Sequence, residues 1–338
     1  MGGGDPWFAV WEEQDFTGFD FALFAGLVHP QARSAVLDLL ADWYVWSWYL
    51  DDLILERFKR SGDVVGARKF LAGLAAVLAP DAAPPRGNPV AGGLSDLWRR
   101  TTARRPAAWR ERLGRGIPNL FEDAIWEVDN LSRGRVPEPV DYLQMRRQAG
   151  GAGWAAQLTE LALGIALPAD LVESSGMRRL HDAFADVVDL HNDLISYRRE
   201  VEYEHDVSNA VVVVQHHAMC SPAEAAARTW RLLQARLELF EDLAAHGLSR
   251  LRGAREGDAG ERKDVEHYVQ ALRDWLAGDF QWHLETSRYD AASWQGKAAA
   301  PHTPRGPQGL GTSAARLADT FTAAQRRSGH PMREGTTP

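Results

Sequence analysis

Cysteine is almost missing from this chain. Cys220 stands alone among 338 residues, which excludes an internal disulfide and fits a reducing cytoplasm. No apolar run reaches the length of about 18 residues that a membrane-spanning helix needs. The opening Met1-Gly2-Gly3-Gly4-Asp5 has no charged stretch leading into an apolar one, so no signal peptide is read. Positive charge is in deficit: 38 Lys and Arg stand against 46 Asp and Glu, for a net charge of −8. That balance argues against a nucleic-acid partner. There is no GxGxxG, no Walker loop, no CxxC and no internal repeat. What is present is apolar material. Hydrophobic residues make up 45% of the chain, enough for a sizeable core, and there are 13 tryptophans. Aromatics at that density fill cores and also line apolar pockets.

The periodicity is helical throughout, and an all-α fold is expected. Trp7–Val28 reads as one helix with a lead-in. Gln31–Lys59 reads as a continuous helix. Its apolar residues Val36, Leu39, Leu40, Trp43, Tyr44, Trp46 and Tyr49 leave little polar face near the end, which marks it as buried. Further helices are expected at Asp63–Leu78, Val90–Arg99 and Ala107–Arg133, with a loop at Pro80–Pro89. Pro118 should kink or break the third of these, since an interior proline costs about 3 kcal/mol. Val140–Ala149 is followed by Gly150-Gly151-Ala152-Gly153, a helix interruption. Trp154–Leu163, Pro168–Glu173, Gly176–Val201, Val207–His217 and Lys263–Thr286 complete the set. Ser221-Pro222-Ala223-Glu224 is a capping box that opens a helix to about Ala245.

Two polar clusters interrupt this pattern. Asn192, Ser196 and Glu200 are spaced i, i+4, i+8, so an amide, a hydroxyl and a carboxylate share one helix face. These are hard oxygen ligands of the kind Mg²⁺ prefers. Alone, such a trio is an ordinary solvated face with i,i+4 hydrogen bonds. The second cluster, Trp48-Tyr49-Leu50-Asp51-Asp52-Leu53-Ile54-Leu55-Glu56, sets carboxylates among apolar residues, where something positive must neutralise them.

Together these stretches resemble the class I terpene synthases of bacteria. Asp51, Asp52 and Glu56 match that family's aspartate-rich motif. Asn192, Asp193, Ser196, Arg199 and Glu200 match its NDxxSxx(R/K)E motif without a gap. Tyr142-Leu143-Gln144-Met145-Arg146-Arg147 resembles its diphosphate-sensing segment, and Arg288-Tyr289 the pair that follows its last long helix. The likeness spans residues 8–320. Its flavour is that of the germacradienol/geosmin type, seen in WEEQDF, DWYVW, DDLILERFKR and SYRREVEYEHDVSNAVVV.

The resemblance implies a single all-α bundle around a central apolar cavity. It implies ionisation and cyclisation of an allylic diphosphate, most simply farnesyl diphosphate, to a sesquiterpene hydrocarbon or alcohol. Three Mg²⁺ ions would be held by Asp51, Asp52 and Glu56 on one side and by Asn192, Ser196 and Glu200 on the other, with Asp52 and Glu56 either ligands or supports of ligands. Arg146, Arg199, Arg288 and Tyr289 would bind the diphosphate. A backbone carbonyl near Gly150 would face the cavity. Trp48 and Trp282 would stabilise the carbocation through their ring faces, the remaining tryptophans being core. Cytoplasmic location follows, and a homodimer is a state that relatives often adopt. A chain-elongating prenyl transferase shares the fold but needs a second aspartate-rich motif, and a non-catalytic diphosphate-binding remnant is a further alternative.

Three features depart from the family. The first motif is DDxxxE. Only ten residues precede Trp11, which predicts a poorly sealed pocket and early quenching by water. The germacradienol/geosmin type has a second cyclase domain, whereas here residues 308–317 resemble only the linker to one. The domain expected is 1–295. Residues 296–338 are expected to be a disordered tail, with a short helix at Ser313–Ala323.

Overall fold

The computed structural model describes residues 5–79, 82, 86–247 and 259–295, and every regular element among them is helical. The expected tail at 296–338 and its short helix lie outside the described residues. The aromatic N-terminal stretch forms two helices, not one: α1 (Glu13–Phe19) and α2 (Phe21–Val28). Asp20 breaks them. Its backbone is left-handed at φ 48°, and its carboxylate accepts the Leu23 N–H at 3.0 Å. Aspartate tolerates that conformation and caps helices, so it ends one and starts the next.

α3 (Ser34–Ile54) follows, and its last turn does not continue as α-helix. Leu55–Lys59 is a π turn. Then come α4 (Val64–Ala75), capped by Asp63, and α5 (Pro89–Thr102), capped by Asn88. α6 (Ala107–Arg133) runs unbroken through Pro118. The sequence leads one to expect a break or a kink there. Burial of Leu113, Ile117, Phe121, Ile125 and Val128 on both sides of the proline outweighs the lost bond. α7 (Pro139–Ala149) and α8 (Ala152–Leu163) are separated by Gly150 and Gly151 alone, with Gly151 at φ 88°. Gly153 sits inside α8.

The short α9 (Ala169–Val172) leads into α10 (Ser175–Arg199), which ends, like α3, in a π turn, here Glu200–Glu204. The valine run is helical: α11 (Ala210–Ala218) is capped by Asn209, whose side chain accepts the Val211 N–H at 2.8 Å. α12 (Pro222–Asp242) opens on the capping box of Ser221 and Glu224. α13 (Ala259–Glu285) and α14 (Ala291–Trp294) close the described chain. α10 packs on α12, α7 and α8, while α2 bridges α3 and α13. No described helix is long and apolar enough to cross a membrane.

The residues before α1 are fastened to α3. The Tyr49 hydroxyl donates to the Phe8 carbonyl. Arg57 donates to the carbonyls of Trp7, Pro6 and Ala9 at 2.6, 3.2 and 3.3 Å. The short lead-in is therefore anchored beside the first motif.

His29, at the end of α2, lies buried with its Nε2 2.7 Å from the Tyr44 hydroxyl. Burial pushes its pKa down from 6.5 to about 3. The unfolded chain therefore binds a proton below 6.5 that the folded chain refuses, and stability falls as pH drops through that range. The loss should reach about 1 kcal/mol by pH 5.5. Urea unfolding of His29→Gln at pH 7 and 5.5 should show the acid-dependent loss reduced by that amount.

Candidate active site

The helices described above surround a cavity of about 250 Å³. Along α3 its lining runs Tyr44, Trp48, Asp51. At 1.5 Å per residue the ring of Tyr44 and the carboxylate of Asp51 stand roughly 10 Å apart along the axis. One helix thus supplies an aromatic stretch and an acidic one to the same space. Asp51 is open to solvent, and its nearest cation is Arg288 Nη2 at 3.6 Å.

Asp52 points elsewhere. One residue on, the helix has turned by about 100°, and Asp52 is only 6% exposed. It accepts from Trp11 Nε1 at 2.5 Å, Arg199 Nη2 at 2.6 Å, and Arg288 Nη1 and Nη2 at 2.7 and 3.0 Å. Burial alone would raise its pKa, but the Arg288 and Arg199 guanidiniums outweigh it and hold the carboxyl well below the usual range. Glu56 shares the Asp52 face, as the spacing predicts. That face borders a small crevice with Trp11, Tyr203 and Trp294 and not the main cavity. Glu56 accepts from Arg60 Nε at 3.0 Å and from the Tyr203 hydroxyl at 3.2 Å. Of the three acidic residues in the first motif, only Asp51 lines the cavity.

The second motif is aimed differently. Asn192, Ser196 and Glu200 all line the same cavity as Asp51. Asn192 Nδ2 donates to the Tyr289 hydroxyl at 3.1 Å. Ser196 is buried, and its Oγ meets no protein group in hydrogen-bonding geometry, though it lies close enough to Glu200 to favour that carboxylate's charge. Glu200 accepts from Asn209 Nδ2 at 2.9 Å. Asp193 faces away, taking the Tyr142 hydroxyl at 2.5 Å, the Ala210 N–H at 2.9 Å and Arg146 Nη2 at 3.1 Å.

Three arginines meet the cavity: Arg146 from α7, Arg199 from α10 and Arg288 from the turn after α13. Arg146 Nη1 also stands 3.8 and 3.9 Å from carboxylate oxygens of Asp123 and Glu127 on α6. The glycine break lies beside it. The Gly150 N–H donates to the Arg146 carbonyl at 2.6 Å. A Cβ at residue 150 would sit 2.6 Å from that carbonyl oxygen and 2.8 Å from Asp189 Oδ1. The space that side chain would fill is already taken.

Trp48 lines the cavity, stacked on Phe21 at 4.9 Å and against Trp282 at 5.1 Å. Trp282 itself is fully buried and does not line the cavity. Its Nε1 donates to the carbonyls of Phe19 and Asp20, so it pins the α1–α2 break and backs Trp48. Conversely Trp46, Trp154 and Trp275, expected to be core alone, contribute to the lining, with Phe24 and Tyr44.

The lining is strongly acidic. Asp51, Asp123, Glu127, Asp189, Glu200, Glu204, Asp206 and Asp279 share the lining with Lys59, Arg146, Arg199, Arg288 and His283, the last paired with Asp279. Burial, together with Glu204, Asp193 and Asp206 nearby, pushes the Glu200 carboxyl up to about 8. Burial likewise lifts Asp123 to about 6, against the pull of Arg146 and Lys59. Carboxylates held this far above their usual range carry a burial cost that the charges around them do not offset. A set of hard oxygen donors, an unpaired buried hydroxyl and this surplus of negative charge fit divalent cations of the magnesium type. A separate trio, His191, Asp279 and His283, is also close-packed and buried. Its members bond one another: His191 Nδ1 donates to Asp279 Oδ2 at 2.8 Å, and His283 Nδ1 to the Asp279 carbonyl at 2.8 Å.

Several lining residues lie outside the motifs singled out from sequence. Asp189 stands three residues before Asn192 on the same face, and Asp123 and Glu127 form an i,i+4 carboxylate pair on α6. Both spacings were visible signals. Lys59 and Asp206 gave none, because their meeting depends on the fold.

An all-helical bundle whose cavity joins carboxylates, arginines and stacked aromatics defines an enzyme class that handles anionic, apolar substrates. A sequence model described as "Terpene synthase family 2, C-terminal metal binding" matches residues 42–238, which span both motifs. Pristinol synthase of Streptomyces pristinaespiralis is 32% identical over 308 residues, covering 90% of this chain and 79% of that one. (+)-T-muurolol synthase of Roseiflexus castenholzii, described as (2E,6E)-farnesyl diphosphate cyclizing, is 29% identical over 276 residues, 80% of each chain. The crystal structure of germacradien-4-ol synthase from Streptomyces citricolor superposes with a TM-score of 0.73 at 26% identity, covering 83% of this chain and 88% of that one. The chain belongs to the bacterial class I terpene synthases.

The two adjacent aspartates should separate cleanly. Asp52→Asn leaves Arg199 and Arg288 buried without their shared counter-charge and should destabilise the protein by about 3 kcal/mol or more. Asp51→Asn, at an exposed position, should change stability by less than about 0.5 kcal/mol. Urea titration of the two variants beside the unaltered protein checks both.

Proposed function

We propose that this protein ionises and cyclises farnesyl diphosphate, releasing diphosphate and a sesquiterpene hydrocarbon or alcohol, in the cytoplasm. The observation that carries this is the meeting of Asp51 with Asn192, Ser196 and Glu200 in one cavity that also holds three arginines and Trp48. The substrate assignment draws on the relative described as farnesyl diphosphate cyclizing.

Asp51 would hold cations on one side, and Asn192, Ser196 and Glu200 on the other, with three Mg²⁺ as the expected complement. Bound magnesium supplies Lewis-acid stabilisation of charge on the departing diphosphate. Arg146, Arg199 and Arg288 present planar forks that match phosphate oxygens, and the Tyr289 hydroxyl adds a donor beside Asn192. Arg199 and Arg288 are already oriented by Asp52, which acts through them and not on the cation. Glu56 steadies the turn after the motif through Arg60 and Tyr203.

The hydrocarbon part would lie along the Tyr44–Trp48 side of α3. Ring faces there attract a carbocation and offer it no nucleophile. Trp48 is held in place by Phe21 and Trp282, so its face is fixed before substrate arrives. The Gly150 break lets the chain pass close to both Arg146 and Asp189. The germacradienol/geosmin likeness remains the finer reading of product class.

Incubation with farnesyl diphosphate and Mg²⁺, followed by gas chromatography, should give a sesquiterpene. With isopentenyl diphosphate added as the five-carbon donor, longer diphosphates would indicate chain elongation, and binding without turnover a remnant. Geranyl and geranylgeranyl diphosphates in the same assay should turn over more slowly. Asn192→Ala should abolish turnover with the fold intact; undiminished activity would refute the cation assignment.

Gly150→Ala meets two oxygens that cannot both move aside. Its kcat should fall about tenfold or more, because misplacement of about 1 Å at a reacting site has large effects. A variant with unchanged kcat would show that the break is only a connector.

A further inference from the structure

A buried lysine outside both motifs stands between them. Lys59 ends the π turn that continues α3 and is 4% exposed. Its Nζ lies 2.6 Å from Glu127 Oε2 on α6 and 2.8 Å from Asp206 Oδ2. Asp206 in turn accepts the N–H groups of Val207 and Ser208 at 2.7 and 2.8 Å. One residue further, Asn209 donates to Glu200 Oε2 at 2.9 Å and to the Asp193 carbonyl at 2.8 Å. A continuous run of short polar contacts therefore leads from the helix of Asp51 to the carboxylate of Glu200.

The cost of burying an ammonium group is high, and it is offset here by geometry. Two carboxylates from different segments converge on one point charge, and the ion stays protonated because Asp206 and Glu127 outweigh its desolvation. Two of the three π turns among the described residues belong to the same device. The turn at Leu55–Lys59 brings Lys59 inward, and the turn at Glu200–Glu204 delivers the chain to Asp206. Extra residues of this kind re-aim side chains without ending a helix, and they recur at functional sites.

We propose that Lys59 is a positioning residue for the cation site: by clamping Glu127 and Asp206 it sets the separation between Asp51 and the Asn192–Glu200 face. This rests on the reading of those residues as cation ligands. Groups outside the ligand shell that hold its supports in place tune metal affinity, not only stability; Lys59 reaches Glu200 by way of Asp206 and the adjoining Asn209.

The test measures Mn²⁺ binding by electron paramagnetic resonance in the presence of inorganic diphosphate, with no turnover needed. Lys59→Met/Glu127→Gln removes the ammonium and one carboxylate together, so no new net charge is buried. It should fold by circular dichroism yet bind Mn²⁺ about tenfold more weakly. Lys59→Met/Asp206→Asn should do the same, which guards against one variant failing to fold. Lys59→Arg keeps the charge and reaches both partners, and should stay within about threefold of the unaltered protein. Arg112→Met breaks a buried pair with Glu160 away from the cavity. It should lower the melting temperature and leave Mn²⁺ affinity unchanged, as a purely stabilising pair would. If either folded Lys59 double variant binds Mn²⁺ as tightly as the unaltered protein, the positioning role is overturned. If the unaltered protein binds no Mn²⁺ with diphosphate, the cation-site reading itself has failed.

Discussion

The buried Asp52 carboxylate is the interaction on which the arrangement of this site depends. It collects Trp11 from the N-terminal segment, Arg199 from α10 and Arg288 from the turn after α13, on a residue of α3. Four distant stretches of chain are thereby fixed around one charge. The pair would be unfavourable if either side were missing, because each arginine is buried as deeply as its partner. Its consequence is directional. With Asp52 engaged behind the helix, Asp51 is left facing the cavity, and two arginines are pre-set at its rim.

That division of labour explains why adjacent identical residues differ. In water Asp51 and Asp52 would be interchangeable. On a helix they are separated by about 100°, and the surroundings pair one with buried arginines and leave the other lining the cavity. The cavity beyond Asp51 then carries more negative charge than its own cations balance. Burial raises the pKa of Glu200 and of Asp123 in the first place, and neighbouring carboxylates add to it. Divalent cations relieve that surplus directly. Polar groups brought together at the expense of stability are a common mark of a functional centre.

Much of this was legible before any coordinates. Helical periodicity located nearly every element, and the spacing of Asn192, Ser196 and Glu200 put the three on one face; in the structure all three line the cavity. What escaped was whatever depends on a neighbour distant in sequence. The Asp20 break is a local exception, one of several acidic interruptions in a stretch rich in aromatics, where only Asp20 caps a new helix through Leu23. Pro118 does not break α6, since propensity cannot see the packing that carries the helix through it. Trp282 and Trp275 look alike in sequence, yet one anchors carbonyls of another helix and the other borders the cavity. The face that Asp52 and Glu56 share could be read from their spacing. That this face looks away from the cavity could not, because Trp11 and Tyr203 cover it from opposite parts of the chain.

The same reasoning bears on the anchored N-terminal segment. Its brevity led to the expectation of a loosely closed pocket. In the structure Trp11, Tyr49 and Arg57 bind that short segment to α3 at several points. Trp11 reaches Asp52 itself, so the lead-in is coupled to the charge that orients Arg199 and Arg288. Anchoring of the segment is a matter of its contacts, and these are several. What matters is whether its few residues are held, and here they are held by the carboxylate that organises the rest of the centre.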